Sequence, residues 1–476
     1  MRNYYIKVNE SKRGRAIGAF AVSTIIIWLC LVINNISVFY YDSSRYWEMS
    51  RNFFSGGEFH FDASSFTLRG YSWPLILAIL NGSGAFGMCT YWFLLSFLYG
   101  ALISFGVGNL FETILEKKLG IAQRCVFTVL LLLFWPGLFT YPLSDMIAVF
   151  TSVIAVYFLV LLYRTESVGR WLLFATASGI FSDLALNIRA TYKYNIYLGI
   201  GIIIIIGYRK GIKTGMLSLI AYAFGILLMA FPQVYANYIN YGVVSIDNPL
   251  SYWTNNRAVY LLYEGALWPR YETYIGDNVN VRPAFVGIDP IISAIFNKEG
   301  ISLDIASSFT IIDYVKLVFK YPVEFAGVYI SHIINCLDLR YGELYISEFG
   351  ERYLVQFISV AVYYMVVVDL YIKNAKRENA GIRLNFDCIG NAKCWVSLYI
   401  LLPTLISLPG HIEPRYAISA HMLIFAYFAF CVDVKNVFKW IRRRKVITFI
   451  AYVLLFSILT LIQNYSLSFA GYGLIF

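Results

Sequence analysis

The sequence predicts an all-α polytopic membrane protein with about eleven transmembrane helices. Of its 476 residues, 59% are hydrophobic and only 14% are charged, which is too little charge for the surface of a soluble globule. Runs of about 17 to 25 apolar residues, each long enough to cross a bilayer core of about 30 Å, recur along nearly the whole chain. We therefore expect a lipid bilayer as a partner and no nucleic acid.

Basic residues orient the predicted spans. With a cytoplasmic N-terminus, the short inside segments hold 24 of the 38 Lys and Arg residues, as the positive-inside rule requires. The first apolar run is too long for a signal-peptide core, so it is predicted to stay as a helix. The predicted spans are 16–40, 89–113, 125–141, 146–163, 171–188, 195–208, 215–233, 353–372, 394–409, 416–432 and 446–466.

This topology divides the chain into three parts. An N-terminal transmembrane module, 1–233, carries the first outer loop, 41–88. A large outer loop, 234–352, follows, and a C-terminal transmembrane module, 353–476, completes the chain.

The first outer loop is predicted to hold two interfacial helices. The earlier one covers 43–54 with Asp42 as its N-cap, and Tyr71 to Leu80 forms the second, because that segment is apolar but too short to cross. One face of the earlier helix is apolar and the other polar. The apolar face consists of Tyr46, Met49, Ser50, Phe53 and Phe54, and the polar face of Arg45, Glu48, Arg51 and Asn52. A local ion pair between Glu48 and its arginine neighbours is the favoured interpretation of that acid.

The large loop contains a helix start and one ambiguous apolar stretch. Thr310 to Asp313 resembles a capping box that begins an amphipathic helix ending at Lys320. Residues 322–338 are apolar, but a twelfth span there would move the basic residues 442–445 outside. We therefore predict a surface-lying or re-entrant helix.

Polar residues from separate short turns are predicted to meet at the outer membrane face, and such convergence indicates one site. They are Asp42, Glu48, Glu58, Asp62 and Arg69 in the first loop, Asp145 before the fourth span, Arg189 and Lys193 after the fifth, and His411, Glu413 and Arg415 before the tenth.

Structural roles are the alternatives for these residues. Asp42 and Asp145 could cap helices, and Arg189 and Arg415 could extend to lipid headgroups. His60, His332 and His421 are interpreted as ordinary packed or interfacial histidines. Asp183, inside a span, is expected to face the bundle interior beside a basic or hydroxyl group.

The ordered set of motifs resembles the GT-C superfamily of polytopic glycosyltransferases. The first-loop signature is carried by Asp42, Tyr46, Phe53-Phe54, Gly56-Gly57, Arg69-Gly70-Tyr71 and Pro74. Asp145, the Asn187-Ile188-Arg189 segment and the His411 to Tyr416 turn follow in the family's order. The resemblance covers residues 1 to about 230 well and the remainder loosely. It implies a bacterial inner-membrane enzyme with a periplasmic site, and the chain's size resembles that of the serotype-converting transferases that modify O-antigen.

The resemblance implies an inverting transfer from a polyprenyl-phosphate-linked sugar to a cell-envelope glycan. Asp42 would be the general base, and Asp145 would orient the acceptor or help to hold a divalent ion. Arg189, Lys193, Arg415 and Arg69 would bind the phosphate, and Glu48, His411, Glu413 and Tyr416 would shape the site. Many members of that family carry paired acids where this chain has the single Asp42 followed by Ser43-Ser44. This departure predicts that no cofactor is required, and a divalent metal remains an option.

Two other functions compete with this one. An O-antigen polymerase or ligase shares the multi-span layout but acts on diphosphate-linked glycans with arginine-rich loops, whereas 234–352 holds only five arginines. A flippase or transporter would place charge at the membrane midplane on broken helices, and here only Asp183 lies deep.

Overall fold

The structure is a computed structural model, and it describes residues 11–53, 70–246, 257–272, 285–286, 288–301, 309–346, 352–379, 391–410 and 412–468. These residues are almost entirely helical, with one two-stranded antiparallel sheet. Apart from the single helical turn Gly137–Thr140, the α-helices of the first half are α1 (Lys12–Asn34), α2 (Tyr41–Asn52), α3 (Ser72–Leu80), α4 (Met88–Leu115), α5 (Ile121–Phe134), α6 (Asp145–Arg164), α7 (Val168–Ile188), α8 (Lys193–Lys210) and α9 (Ile212–Tyr241).

The second half of the chain adds nine helices and the two short strands among the described residues. They are α10 (Arg257–Leu267), β1 (Arg270–Tyr271), β2 (Phe285–Val286), α11 (Pro290–Lys298), α12 (Ile311–Lys320), α13 (Pro322–Cys336), α14 (Tyr353–Asn379), α15 (Ala392–Ser407), α16 (Ile418–Cys431), α17 (Val434–Arg443) and α18 (Lys445–Ser468).

The class of an all-α polytopic membrane protein is confirmed. Eight of the described helices are long and apolar enough to cross a membrane, namely α1, α4, α6, α7, α8, α9, α14 and α18, and the bent pair α16 and α17 would make nine. Each of the eleven predicted spans coincides with a helix. However, α5 and α15 have only 14 and 16 residues, so the count of eleven stays a prediction.

The chain divides into two compact units. The first consists of Met1–Pro249, Arg383–Pro403 and Phe425–Cys431, and the second of Leu250–Ile382, Thr404–Ile424 and Val432–Phe476.

In the first unit, α7 and α9 pack through small residues. A Cβ atom at Gly179 would lie 2.1 Å from the carbonyl oxygen of Tyr222, and one at Gly225 would lie 2.1 Å from that of Thr176. The two backbones therefore touch at a reciprocal glycine pair, which is a packing mode that transmembrane helices favour. The neighbouring helix α6 is buried along most of its length and forms the centre of this unit.

A buried charge group joins the first helices of this unit. The Glu112 carboxylate of α4 forms ion pairs of 2.5 Å with Arg15 of α1 and with Arg124 of α5. Arg124 also donates to the carbonyl oxygen of Ser104, which lies in a π-helical turn of α4. Turns of this kind leave carbonyl groups that need another donor.

In the second unit, a small apolar core joins α10 to α13. Val259, Ala266, Ile292 and Phe325 are fully or nearly fully buried in it. The predicted capping box is confirmed: the Asp313 amide donates to the Thr310 hydroxyl, and the Thr310 amide donates to the Asp313 carboxylate, both at 3.2 Å. Helix α13 has 15 residues and, unlike α5 and α15, is not among the apolar helices that could enter a membrane, which agrees with the prediction that this segment is not a twelfth span.

Candidate functional site

Helix α2 carries Asp42, the residue on which the predicted site depends. The predicted faces are confirmed: Tyr46, Met49, Ser50 and Phe53 are buried, whereas Arg45, Glu48, Arg51 and Asn52 are exposed. Phe54 lies outside the described residues.

The predicted cap at Asp42 is wrong. The helix begins at Tyr41, so Asp42 lies inside its first turn and Tyr40 is the N-cap residue. The Ser43 hydroxyl accepts a hydrogen bond from the Tyr40 amide at 2.9 Å and takes over the capping role. Tyr41 adopts a left-handed φ of 44°, a backbone conformation that costs about 1–2 kcal/mol in a residue of this kind. The helix therefore starts earlier than predicted, and the half-buried Asp42 is not its N-cap residue.

The predicted ion pairs of Glu48 are also absent. Among the described residues, no ion pair joins Glu48 to Arg45 or Arg51, and all three side chains are exposed. Arg51 instead extends over the turn at Gly84, where a Cβ atom would lie 3.1 Å from its Nε. An exposed pair would contribute little in any case, since its side chains lose rotational freedom and water screens the charges.

The end of the first loop is fixed to the end of α7. The Asn187 side-chain oxygen accepts from the Ser72 amide at 2.9 Å and from the Ser72 hydroxyl at 2.6 Å. Gly70 lies so close to Asn187 that a Cβ atom there would be 1.9 Å from the Asn187 carbonyl oxygen, so only glycine fits. Gln233 of α9 completes the junction by accepting from both the Tyr71 amide and the Asn187 side chain.

Two further hydrogen bonds connect α3 to the other parts of the site. The Trp73 indole donates to the carbonyl oxygen of Pro142 at 3.0 Å, in the turn that precedes Asp145. The Asn81 side chain donates to Ser50 of α2 at 2.8 Å. Helix α3 is therefore bonded to α2, to the turn before α6 and to the end of α7, the three elements that carry Asp42, Asp145 and Arg189.

Asp145 and Arg189 form the central ion pair of this region. The Asp145 carboxylate, at the first residue of α6, lies 2.6 Å from Nη1 of Arg189, and their side chains are 2% and 21% exposed. A carboxylate is stabilised at a helix N-terminus by the helix dipole. In the structure Arg189 pairs with Asp145, and the alternative in which it extends to lipid headgroups stays a prediction. Lys193 is half-buried one turn further along the chain, at the first residue of α8.

Two tyrosines beside Asp145 were not predicted. The Tyr91 and Tyr99 side chains of α4 are fully buried, and their hydroxyl groups have no hydrogen-bond partner among the described residues. Tyr99 is within electrostatic range of Asp145, and Tyr91 of Tyr99. The Tyr91 ring also packs edge-on against Trp47 of α2 at 4.9 Å. Their spacing of eight residues places both on one face of α4, but that pattern also describes ordinary core aromatics.

Asp183 is buried in α7, as expected. It lies within electrostatic range of the tyrosine hydroxyl groups of Tyr71 and Tyr222. Burial raises the pKa of Tyr71 to about 12, and the Asp183 carboxylate adds to that shift. Tyr71 therefore stays protonated at neutral pH and donates to the Met229 carbonyl oxygen at 3.0 Å.

The second unit holds the other predicted pair. The Glu413 carboxylate lies 2.7 Å from Nε of Arg415, and both side chains are less than 10% exposed. The Arg415 guanidinium lies 5.7 Å from the centre of the Tyr416 ring. Because Arg415 is buried and paired, the alternative in which it extends to headgroups is contradicted. His411, Arg69, Glu58, Asp62, His60 and Gly56-Gly57 lie outside the described residues.

The sequence does not predict a second charged cluster in this unit. Arg270 is fully buried and bonds Asp338 at 2.5 Å and Glu272 at 3.0 Å. Arg340 bonds the same Asp338 carboxylate at 2.7 and 2.9 Å. Arg270 and Asp338 are 68 positions apart in the sequence, so no local pattern could have paired them.

The electrostatics of this cluster favour its charged form. Burial alone raises the pKa of the Asp338 carboxyl, but the Arg270 and Arg340 guanidinium groups outweigh it and lower that pKa to about 2. Burial raises the pKa of Glu272, although Arg270 opposes the shift. Asp338 is therefore an anion at neutral pH.

Backbone and histidine bonds hold the 408–415 segment against this cluster. The Tyr271 amide of β1 donates to the Ile412 carbonyl oxygen at 2.8 Å. The His332 ring nitrogens lie 2.7 Å from the Leu408 carbonyl oxygen and 3.3 Å from that of Trp268. His332 is therefore a packed structural histidine, as predicted.

Within the described part of the chain, no group of three or more His, Cys, Asp or Glu side chains could hold a metal ion. Comparison of the chain with protein-family models, curated proteins and solved structures finds no match. Its function therefore has to be argued from its own residues.

Proposed function

We propose that this protein is an inverting glycosyltransferase that moves a sugar from a polyprenyl-phosphate-linked donor to a cell-envelope glycan. The observation that carries the proposal is the Asp145–Arg189 ion pair. The Asp145 carboxylate of this pair is buried, whereas the Arg189 side chain is 21% exposed. Hydrogen bonds from α3 connect the turn before Asp145 to α2, the helix that carries Asp42.

In this mechanism Asp42 accepts the proton of the acceptor hydroxyl as that oxygen attacks the anomeric carbon of the donor. The new C–O bond forms on the side opposite the phosphate, and the bond between the anomeric carbon and the phosphate oxygen breaks. The anomeric configuration inverts in this single displacement. The half-buried position of Asp42 on a membrane-hugging helix supports this role, because it is accessible and is not a cap.

The departing polyprenyl phosphate gains negative charge and needs fixed positive charge beside it. Arg189 and Lys193 supply two cations within one turn of chain, and guanidinium groups bind phosphate through paired hydrogen bonds. In the ground state Asp145 holds the Arg189 side chain in place.

A reconstituted transfer assay tests this proposal. Full-length protein would be supplied separately with a monophosphate-linked and a diphosphate-linked polyprenyl sugar, together with envelope glycan, and products would be followed by mass analysis. We expect transfer only from the monophosphate donor, and a loss of about 10²–10⁴-fold in Asp42→Asn. Glu116→Gln, which removes an exposed acid paired with Arg164, is the control and should retain activity. Full transfer by Asp42→Asn, with normal membrane insertion, would remove the general-base role.

One observation favours the polymerase or ligase alternative. Arginine is sparse in the large loop, yet the guanidinium groups of Arg270, Arg340 and Arg352 lie 5.4–5.5 Å from the centre of the Tyr341 ring. Such a group could bind a diphosphate, but Asp338 and Glu343 already pair with these arginines. The alternative therefore ranks second, and transfer from the diphosphate donor alone would reverse the order.

A further inference from the structure

Helix α17 changes the direction of the chain. It begins three residues after α16 ends, and the two helices are bent by 89° at the break. The Asp433 side chain caps its start by accepting from the Asn436 amide at 3.1 Å. Within this pair α16 is apolar along nearly its whole length, whereas α17 carries four cations. A charged helix that turns at right angles from an apolar one has the orientation of an interfacial helix.

The residues of α17 separate sharply into two faces. At 100° per residue, apolar side chains occupy one half of the helix and basic side chains the other. The apolar half consists of Val434, Val437, Phe438, Trp440 and Ile441, and the basic half of Lys435, Lys439, Arg442 and Arg443. Lys435, Lys439 and Arg443 follow one another at intervals of four residues and form a continuous stripe.

The apolar half is only partly covered by protein. Val437 is fully buried, and the Trp440 ring packs against Tyr371 of α14 at 5.8 Å. Phe438 and Val434, however, are 58% and 42% exposed. One edge of the apolar half of α17 therefore packs on the protein. The other edge, with Phe438 and Val434, is exposed and lies next to the basic stripe.

The basic half has no internal counterion. Among the described residues, no ion pair involves Lys435, Lys439, Arg442 or Arg443, and all four are exposed. Arg444 and Lys445 follow directly, so six cations face one acid, Asp433, over 433–445. The positive-inside rule explains the number of charges and the side of the membrane. It does not explain their segregation on one face of a surface helix beside exposed apolar groups.

We propose that α17 is a binding surface for anionic phospholipid headgroups. Clusters of four to eight basic residues next to a span bind acidic lipids, because each cation near an anionic leaflet gains electrostatic free energy. The exposed Phe438 and Val434 would enter the boundary between headgroups and acyl chains, and the basic stripe would bind the phosphates. An acidic protein that binds a basic amphipathic helix takes the whole apolar face into a groove, whereas in α17 Val437 is buried and Trp440 packs against Tyr371 of the same chain. This inference is independent of the transferase proposal.

Native mass spectrometry of the full-length protein tests the surface. Detergent-solubilised protein would be mixed with equal amounts of phosphatidylglycerol and phosphatidylcholine, and retained lipids counted. We expect selective retention of phosphatidylglycerol, weakened about tenfold or more in the triple variant Lys435→Gln, Lys439→Gln, Arg443→Gln. The charge-matched control is Lys12→Gln, Arg13→Gln, Lys118→Gln, which removes three exposed cations from other segments and should retain phosphatidylglycerol.

A photoreactive benzophenone amino acid in place of Phe438 locates the lipid without altering any charge. We expect it to crosslink phosphatidylglycerol in nanodiscs, and this measurement stands even if the triple variant fails to fold. Three results would overturn the proposal. The first two are equal retention of the two lipids by the wild type and equal losses of phosphatidylglycerol retention in the stripe and control variants. The third is crosslinking to an acidic protein, and not to phosphatidylglycerol, in native membranes.

Discussion

Two buried ion-pair groups, Arg270–Asp338–Arg340 in the second unit and Asp145–Arg189 in the first, differ in how their charge is satisfied. Asp338 accepts from two arginines and from the Arg340 amide, and its side chain is 0% exposed. Asp145 is nearly as buried at 2%, but its arginine partner is 21% exposed. The first group is closed by protein on all sides, and the second is open on one.

This difference separates a structural charge cluster from a candidate site. Removing one member of a closed group leaves an uncompensated charge in a medium of low dielectric constant, so the cost falls on stability. In an open pair, the exposed arginine can exchange its partner for water or for a ligand anion. A phosphate that reaches Arg189 could therefore use the same guanidinium that Asp145 holds in the resting protein.

The largest expected effect is on the closed group. Asp338→Asn leaves Arg270 buried with a single carboxylate neighbour, and we expect a loss of about 3–5 kcal/mol in unfolding free energy. The unfolding temperature of purified protein in detergent, followed by circular dichroism, measures this loss.

The control for Asp338→Asn is Glu343→Gln. Glu343 pairs with Arg352, but its side chain is 59% exposed, and exposed pairs contribute at most about 1 kcal/mol. If the two variants unfold at the same temperature, the Asp338 group is not the structural clamp described above.

The open pair should respond in the opposite way. We expect Asp145→Asn to lower transfer activity about 10²–10³-fold, because the mispositioned Arg189 no longer meets the leaving phosphate. Its unfolding temperature should fall less than that of Asp338→Asn, since water can solvate Arg189. Transfer rate and unfolding temperature, measured on the same preparation, check this prediction.

Asp369→Asn is the matched control for Asp145→Asn. Asp369 of α14 is 3% exposed and pairs at 2.6 Å with the half-exposed Lys373, so it has the same burial pattern outside the candidate site. It should retain activity. Equal losses of the proposed transfer activity in both variants would show that any disturbed buried acid impairs the protein.

The two groups also differ in how far the sequence could predict them. Hydropathy located each of the eight helices that are long and apolar enough to cross a membrane, and the helical period assigned the faces of α2, because both are local properties. Asp145 and Arg189 were found as separate candidates at predicted span ends. Their contact, and the bond between Ser72 and Asn187 across 115 positions, needed the tertiary structure. Asp42 was misassigned as a cap because helix boundaries shift by a residue or two.

A smaller effect is expected at the tyrosines beside the open pair. Tyr99→Phe removes a buried hydroxyl that has no hydrogen-bond partner among the described residues, so unfolding free energy should stay constant or rise slightly. If this hydroxyl binds a polar group of the substrate, KM should rise about tenfold. Steady-state kinetics and thermal unfolding together separate the two roles.

Tyr222→Phe is the matched control, since the Tyr222 hydroxyl donates to Ser182 at 3.0 Å. It should lower unfolding free energy by about 1 kcal/mol and leave KM unchanged. If Tyr99→Phe lowers the unfolding free energy and leaves KM unchanged, the Tyr99 hydroxyl has a structural role, like that of Tyr222.

The smallest expected effect is the pH dependence of the closed group. The pKa of Asp338 is lowered to about 2 in the folded protein, against about 3.9 for an unperturbed Asp. A lowered carboxyl pKa stabilises the fold above the unfolded pKa and loses that contribution as pH falls through the folded one. The difference in unfolding temperature between wild type and Asp338→Asn should therefore stay constant from pH 7 to about pH 5 and shrink only below about pH 4. Burial and the Asp338 carboxylate both raise the pKa of Glu272. The stability that Glu272 contributes is therefore gained as pH falls and is larger in the wild type, so it cannot make the difference shrink. A difference that already shrinks between pH 7 and pH 5 would mean that Asp338 titrates as an ordinary or raised carboxyl and that its arginine partners do not hold it as an anion.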